Sequence, residues 1–251
     1  HRSASKLKLG VCYESKELGK QTMMTKTHAA ASNTKDSRGW YKRLFAWMMC
    51  KMNSDASTIK LNHCSCASNL AELKKSLFAN IHGEVLEIGA GTGPNLSYYP
   101  PEIHLIGVEP NQFMHSYLQQ EAERLGLNVD IYCETAENLD IKDNSMDVVV
   151  STLVLCSVDD LAAVLQEVLR VLKPGGRFLF LEHVAAPKET QLRRMQHWIR
   201  PIWRAIGDGC CPERETWVLI EEAGFESVSY EHFRVPGIPI TSSCIVGMAI
   251  K

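Results

Sequence analysis

Glu87, followed at alternate positions by Gly89, Gly91 and Gly93, is the arrangement in this chain best suited to hold a charged small molecule. Glycines so spaced leave bare backbone for a ligand to lie against, and they accept the positive φ of a sharp turn. The G-x-G-x-G spacing, with Pro94 next, differs from the G-x-G-x-x-G of dinucleotide sites and offers no helix start to a pyrophosphate. Glu87 would repel a phosphate and attract a cation. A cofactor ending in a cationic amino acid, such as S-adenosylmethionine (SAM), therefore suits it better than NAD. A second acid, Glu109, follows the apolar run Ile103–Val108 and precedes Pro110-Asn111. At the carboxyl end of a buried strand such an acid can accept both hydroxyls of a ribose. The competing explanations are a plain tight turn for the glycines and a solvated loop position for Glu109.

These residues need strands to carry them, and the pattern supplies strands. Val85–Ile88, Ile103–Val108, Val129–Cys133, Met146–Leu155 and Phe178–Leu181 are short apolar runs of the kind that fill a parallel sheet. Helical periodicity separates them: Leu70 to Ile81, Gln112 to Leu125 closed by Gly126, and Leu161 to Leu172 started by Asp159-Asp160 and ended by Lys173-Pro174-Gly175-Gly176. Aromatic-rich helical structure interrupted by Pro201 is expected across Pro187–Gly209, then a helix ending at Gly224. A closing hairpin spans Ser227–Phe233 and Cys244–Ile250. The fold class is α/β, a doubly wound, mostly parallel seven-stranded sheet. Ligands of such sheets sit outside the carboxyl ends of the strands, so Glu87, Glu109 and the glycine turn share one crevice.

Residues 1–60 hold twelve Lys/Arg against four Asp/Glu, a net of +8, which leaves −10 on the remainder of a chain whose total is −2. An acidic main body argues against a nucleic-acid substrate. Nine cysteines, an odd number with no C-x-x-C pair, indicate reduced thiols and neither a zinc ribbon nor a disulfide scaffold. His63-Cys64-Ser65-Cys66 is too tightly spaced for a common zinc pair and reads as a loop, so no metal ligands are assigned. Residues 1–38 read as a disordered tail or a targeting segment, and residues 39–251 as the folded domain. Trp40–Met52 is an apolar helix with two stripes, Tyr41/Phe45/Met48/Met52 and Trp40/Leu44/Trp47. It reads as an N-terminal lid over the crevice, with peripheral membrane contact through residues 40–52 as the alternative. No apolar run approaches the ~20 residues that span a bilayer. An intracellular location follows: chloroplast or mitochondrion if residues 1–38 are a transit peptide, otherwise cytoplasmic or membrane-associated.

Five segments together resemble a class I SAM-dependent methyltransferase: E-I-G-A-G-T-G at 87–93, V-E-P-N at 108–111, T-A-E-N-L at 135–139, M-D-V-V-V-S-T at 146–152 and L-K-P-G-G at 172–176. More narrowly, T-L-V-L-C-S-V at 152–158, Glu182-His183-Val184 and G-D-G-C-C-x-x-R-E-T-W at 207–217 are similar to the methyltransferase-like thiol S-methyltransferases. The resemblance implies SAM as cofactor, a Rossmann-like fold and a small apolar acceptor. It places Glu87, Gly89, Ala90, Gly91 and Gly93 at the methionine end of SAM, and Glu109 at the ribose. Pro110, Asn111 and Met114 then line the adenosine side, Ala136 and Glu137 meet the adenine edge, and Thr152 and Leu153 lie below the sulfonium.

Methyl transfer from a sulfonium is an in-line displacement that needs alignment and desolvation more than acid–base chemistry. A thiol, with a pKa near ~8.5, is already partly ionised at neutral pH. His183 is the candidate base and Asp208 the candidate that orients it. Arg214, Trp198 and Trp203 are candidates for the acceptor walls, while Cys156, Cys210 and Cys211 read as small buried hydrophobes. S-methylation of a thiol is the expected reaction. A phenol, a quinone precursor or arsenite are the other acceptors, and a SAM-binding protein without turnover is the reading of a different class.

Overall fold

The structure, a computed structural model, describes residues 27–28, 39–53, 59–62, 64 and 67–251. The strands are β1 (Thr27–His28), β2 (Glu84–Ile88), β3 (His104–Val108), β4 (Val129–Tyr132), β5 (Met146–Thr152), β6 (Leu172–His183), β7 (Ser227–Arg234) and β8 (Ser243–Ile250). They form one sheet in the order β1-β4-β3-β2-β5-β6-β8-β7. Neighbours from β1 to β6 are parallel, and β8 runs antiparallel between β6 and β7. The seven-stranded expectation holds for β2–β8. Thr27–His28 adds a two-residue edge beside Ile131 and Tyr132. The rest of residues 1–38, and His63, Ser65 and Cys66 of the tight His/Cys cluster, lie outside the described residues.

Among the described residues six α-helices accompany the sheet: α1 (Gly39–Asn53), α2 (Leu70–Phe78), α3 (Gln112–Leu125), α4 (Leu161–Val171), α5 (Gln191–Ile206) and α6 (Thr216–Glu222). Apolar side chains alternate along each strand and so serve two cores. Phe178 and Phe180 join Val164, Val168 and Ile220 on the α4–α6 face. Leu179 and Val148 join Phe78, Leu118 and Ala122 on the α2–α3 face. Burial on both faces explains the near-continuous apolar strands. Asn111 caps α3 by accepting from the Phe113 N–H, and Gly126, at φ +70°, ends it. Asp160 caps α4 through the Ala163 N–H.

Three expectations change. β6 begins at Leu172 rather than at Phe178, and so takes in Lys173-Pro174-Gly175-Gly176, which end α4 as expected. Its register against β5 shifts between Met146 and Val148, which absorbs the irregular Pro-Gly-Gly backbone as a bulge. β5 stops at Thr152 rather than at Leu155, because Leu153 takes a left-handed φ of +60°. Pro201 does not interrupt α5, which continues through it. The missing N–H falls on the exposed side, where the freed His197 carbonyl is open to solvent.

The chain builds β2, β3 and β4 outward in one direction, then crosses to build β5 and β6 in the other. The switch lies between β2 and β5, so a crevice opens above the ends of β2, β3, β5 and β6. Glu87, Glu109, Thr152 and His183 stand at those ends.

Candidate active site

Glu87 is fully buried. One carboxylate oxygen accepts from Asn95 Nδ2 at 2.6 Å and the other from the Tyr99 hydroxyl at 3.0 Å. Burial pushes its pKa up to about 7, against the pull of those two bonds and of the Lys74 charge. Asn95 also donates to Thr152 Oγ1 at 3.1 Å, which ties the end of β2 to the end of β5. Its own carbonyl oxygen, Oδ1, is buried and has no hydrogen-bond partner. A buried acceptor without a donor costs about 1–3 kcal/mol. Its position beside a half-ionised carboxylate marks a place made for a cationic donor.

The glycine turn joins this acid to the second. Gly89, Gly91 and Gly93 have φ of +62°, +57° and +85°. A Cβ on Gly89 would collide with the Val154 side chain, whereas one on Gly91 would meet nothing closer than 3.9 Å. Gly91 is thus open on the side where a ligand would lie, with Met114 Sδ at that 3.9 Å limit. Glu109 straps the turn from above: its carboxylate accepts the Gly91 N–H at 3.0 Å and the Asn111 N–H at 2.8 Å. Each oxygen keeps a second lone pair for a hydroxyl. Burial raises this carboxyl to about 7 as well, with Asp208 raising it further and Lys42 opposing.

α1 covers this side. Asn111 Nδ2 donates to the Lys42 carbonyl at 3.1 Å, and the Arg43 guanidinium lies 4.9 Å from the Phe113 ring centre. The Tyr41 hydroxyl donates to the Ile206 carbonyl at 3.0 Å and accepts the Asp208 N–H at 3.1 Å. Only the Tyr41/Phe45 side of the helix packs inward. Trp40, Leu44, Trp47, Met48 and Met52 are exposed.

The far end of the crevice is built from the loop after β5. Glu182, fully buried and pushed up to about 7 by that burial, accepts from Ser151 Oγ at 2.6 Å and the Leu155 N–H at 3.1 Å. Arg214 donates to the carbonyls of Leu155 at 2.6 Å and Val158 at 2.9 Å. The Cys211 N–H donates to the Cys156 carbonyl at 2.8 Å. The loop so held presents Leu153 to the crevice and Cys156 to His183, whose Nδ1 lies 4.0 Å from the sulfur. Cys210 completes the group, all three ligand atoms lying within 4.8 Å of one another.

A methyltransferase-domain model matches residues 86–180. The rat thiol S-methyltransferase TMT1B is 44% identical over 172 residues, 66% of this chain and 70% of the relative. The human thiol S-methyltransferase TMT1A is 37% identical over 194 residues, 72% and 80% of the two chains. This chain belongs to the class I SAM-dependent methyltransferases, in the group of the thiol S-methyltransferases. Among solved structures, the [4+2]-cyclase SpnF superposes with a TM-score of 0.65 at 18% identity, covering 85% of this chain and 94% of that one. That likeness is one of fold alone, since one fold carries different reactions according to its site.

SAM is the cofactor of this methyltransferase, and the residues present fit it. The buried acid with an unserved amide oxygen beside it suits the ammonium of the methionine end. The open Gly91 backbone and the spare lone pairs of Glu109 suit the ribose. Of the residues expected from sequence, Glu87, Gly89, Ala90, Gly91, Gly93, Glu109, Pro110, Asn111, Met114 and Thr152 gather around this end of the crevice, and Leu153 follows Thr152 toward the far end. Ala136 is buried beside the β4 loop, while a Glu137 oxygen accepts the Asp159 N–H at 3.0 Å and so braces the start of α4. His183 sits with two cysteines, and Asp208 sits near Glu109 and the lid. Trp198, 82% exposed, is no wall of the crevice, and Arg214 braces a loop. Sequence reasoning missed Asn95, Tyr99 and Lys74 around Glu87, and Glu182 as the anchor of the β5 loop. A polar residue at the end of a wholly apolar strand was the available signal for Glu182.

Proposed function

We propose that this enzyme methylates the sulfur of small, lipophilic thiols. The observation that carries the reading is the Cys156–His183–Cys210 group at the acceptor end, next to the exposed Leu153 and the half-buried Trp203. Such walls favour compact, neutral, apolar acceptors. The 37–44% identity to thiol S-methyltransferases supports the same class.

When bound, SAM supplies an electrophilic methyl group on a sulfonium. Glu87 and the Gly89–Gly93 backbone are proposed to hold its amino acid end, Glu109 its ribose, and Pro110, Asn111, Met114, Ala136 and Glu137 its adenosine. Thr152 and Leu153 would fix the height of the sulfonium above the sheet, since Thr152 is itself tied to Asn95. A thiol needs only a group that favours its anion, whereas a phenol near ~10 needs a larger shift. His183 is proposed to supply that help, in concert with its cysteine neighbours. Asp208 is better placed as the latch that joins the lid to the crevice, through its N–H to Tyr41.

Product analysis with a panel of thiols, phenols and arsenite tests the reading. S-methyl thioethers are expected, with rates that rise with acceptor lipophilicity. Methylation of a phenol or of arsenite, with no thiol turned over, would remove it. SAM binding with no product from any acceptor would make the protein a non-catalytic SAM binder.

The enzyme's place in the cell is a second proposal. Among the described residues no helix is long and apolar enough to cross a membrane. α1 and α5 meet at Tyr41 and Ile206, and both carry exposed apolar residues, including Trp40 at 72% and Trp198 at 82%. With Arg43, Lys51 and Arg194 alongside, these two helices suit peripheral contact with a membrane interface. The tail or organelle-targeting reading is proposed for the part of residues 1–38 ahead of the β1 edge strand at Thr27–His28.

A further inference from the structure

Cys156, His183 and Cys210 come from three separate parts of the chain, the β5 loop, the end of β6 and the turn after α5. No motif spacing joins them. Their ligand atoms nevertheless lie within 4.8 Å of one another, and Cys156 Sγ is 4.0 Å from His183 Nδ1. Around a tetrahedral Zn²⁺, with Zn–S about 2.3 Å and Zn–N about 2.0 Å, neighbouring ligand atoms stand roughly 3.5–3.8 Å apart. The group therefore needs a contraction of no more than about 1 Å to enclose the ion.

Each ligand is held before any ion arrives. Cys156 is fixed by the Cys211 N–H on its carbonyl and by the flanking grip of Glu182 and Arg214. His183 is paired with Cys244 in the β6–β8 ladder. Cys210 sits in a turn closed by its own N–H to the Gly207 carbonyl and by Gly209 at φ +93°. The Trp203 indole N–H is buried without a hydrogen-bond partner, and both it and Cys210 Cβ border Gly207. Two buried thiols alone would read as small hydrophobes. A histidine joined to both, with a spare buried N–H alongside, does not.

We propose that Cys156, His183 and Cys210 form a Zn²⁺ site whose fourth position receives the acceptor sulfur. Two sulfurs and an imidazole with one open position are the donor set of a catalytic rather than a structural zinc. The inference rests on the thiol reading above and gives His183 the role of ligand through Nδ1 in place of free base. The acceptor thiol would lose its proton to solvent as its sulfur binds the zinc. The bound thiolate then forms a new carbon–sulfur bond while the carbon–sulfonium bond breaks, its electron pair returning to the cofactor sulfur. The product thioether is neutral and a poor zinc ligand, so it leaves.

The test is made on the full chain, loaded with Zn²⁺ and gel-filtered, with elemental analysis for metal content and calorimetric SAM binding as the check of folding. One zinc per chain is expected in the wild type and in Cys211→Ser, and at least a tenfold loss of content in Cys156→Ser, His183→Asn and Cys210→Ser. Cobalt substitution is expected to give a sulfur-to-metal charge-transfer band, with visible bands that move when a small thiol is added. A zinc-free wild type, zinc retained in variants that still bind SAM, a Cys156–Cys210 disulfide in its place, or cobalt bands that ignore thiols would each overturn the site. Full thiol turnover by chelated, metal-free enzyme would overturn the zinc role and leave S-methylation standing. A zinc-loaded enzyme that methylates no thiol would do the reverse.

Discussion

At the scale of single residues, the cofactor end is governed by how two carboxyl groups are buried. Glu87 and Glu109 are both raised to about 7, from an ordinary 4.5, chiefly by desolvation. A carboxyl with a raised folded pKa stabilises the fold below its unfolded value and loses that contribution as pH climbs through the folded one. The cofactor-free enzyme is therefore expected to lose thermal stability between about pH 4.5 and 7. SAM binding, which favours the anion of Glu87, should tighten over the same interval. Glu87→Gln should weaken SAM by roughly thirtyfold at pH 7.5, about 2 kcal/mol for a charged hydrogen bond, and flatten the trend. Calorimetry at pH 5.5 and 7.5 decides the matter. Wild-type affinity that does not change with pH would rule out the ammonium at Glu87. The two acids and the glycines were legible in the sequence because strand end and turn are local features. Asn95, Tyr99 and Lys74 were not, since nothing in their own neighbourhoods says that they converge on a carboxylate.

At the scale of elements, the acceptor end depends on a loop that has little regular structure of its own. Residues 153–158 include a left-handed leucine and are held by Glu182 beneath and Arg214 beside. Arg214→Ala removes two charged hydrogen bonds from half-buried carbonyls, which at about 1.5–3 kcal/mol each should cost roughly 3 kcal/mol of stability. Because the loop carries Leu153 and Cys156, the acceptor KM should rise while SAM affinity stays near wild type. Denaturant unfolding and separate titrations of the two substrates measure both effects. An unchanged acceptor KM in a destabilised variant would make Arg214 a brace with no bearing on the site. Sequence pattern located nearly every strand and helix, because burial on two faces and capped amphipathic helices leave strong local periodicity. It misjudged the start of β6 and the continuity of α5 at Pro201, where Pro and Gly usually break elements. Pairing of Leu172 with Met146 on the near side of the Pro-Gly-Gly bulge, and solvent exposure at Pro201, overrode those local preferences.

At the scale of the whole molecule, one side of α1 packs on α3 and is bonded by Asn111, and its other side faces outward with α5. The sequence could show that α1 carries two apolar stripes. It could not show which stripe packs, because that depends on Asn111, Ile206 and Asp208 arriving from distant parts of the chain. Tyr41, Phe45 and Ala46 are turned inward while Trp40, Leu44, Trp47 and Met48 are exposed, so the proposed lid and the proposed membrane contact would use two faces of one helix. A lipophilic thiol partitions into the membrane, so an enzyme resting there would meet its acceptor at raised local concentration. Burying an aromatic side chain contributes about 1.5–3 kcal/mol, so replacing Trp40 and Trp198 together by serine should lower partition onto anionic phospholipid vesicles by roughly a hundredfold or more. Neither side chain reaches the crevice, and turnover of a water-soluble thiol in the absence of vesicles should therefore stay at the wild-type level. Turnover of a long-chain thiol presented in vesicles should fall with binding. Vesicle sedimentation and the two rates separate the cases. Binding that persists in the double variant, or a wild-type enzyme that does not sediment with anionic vesicles at all, would leave the outward face of α1 and α5 without a membrane role.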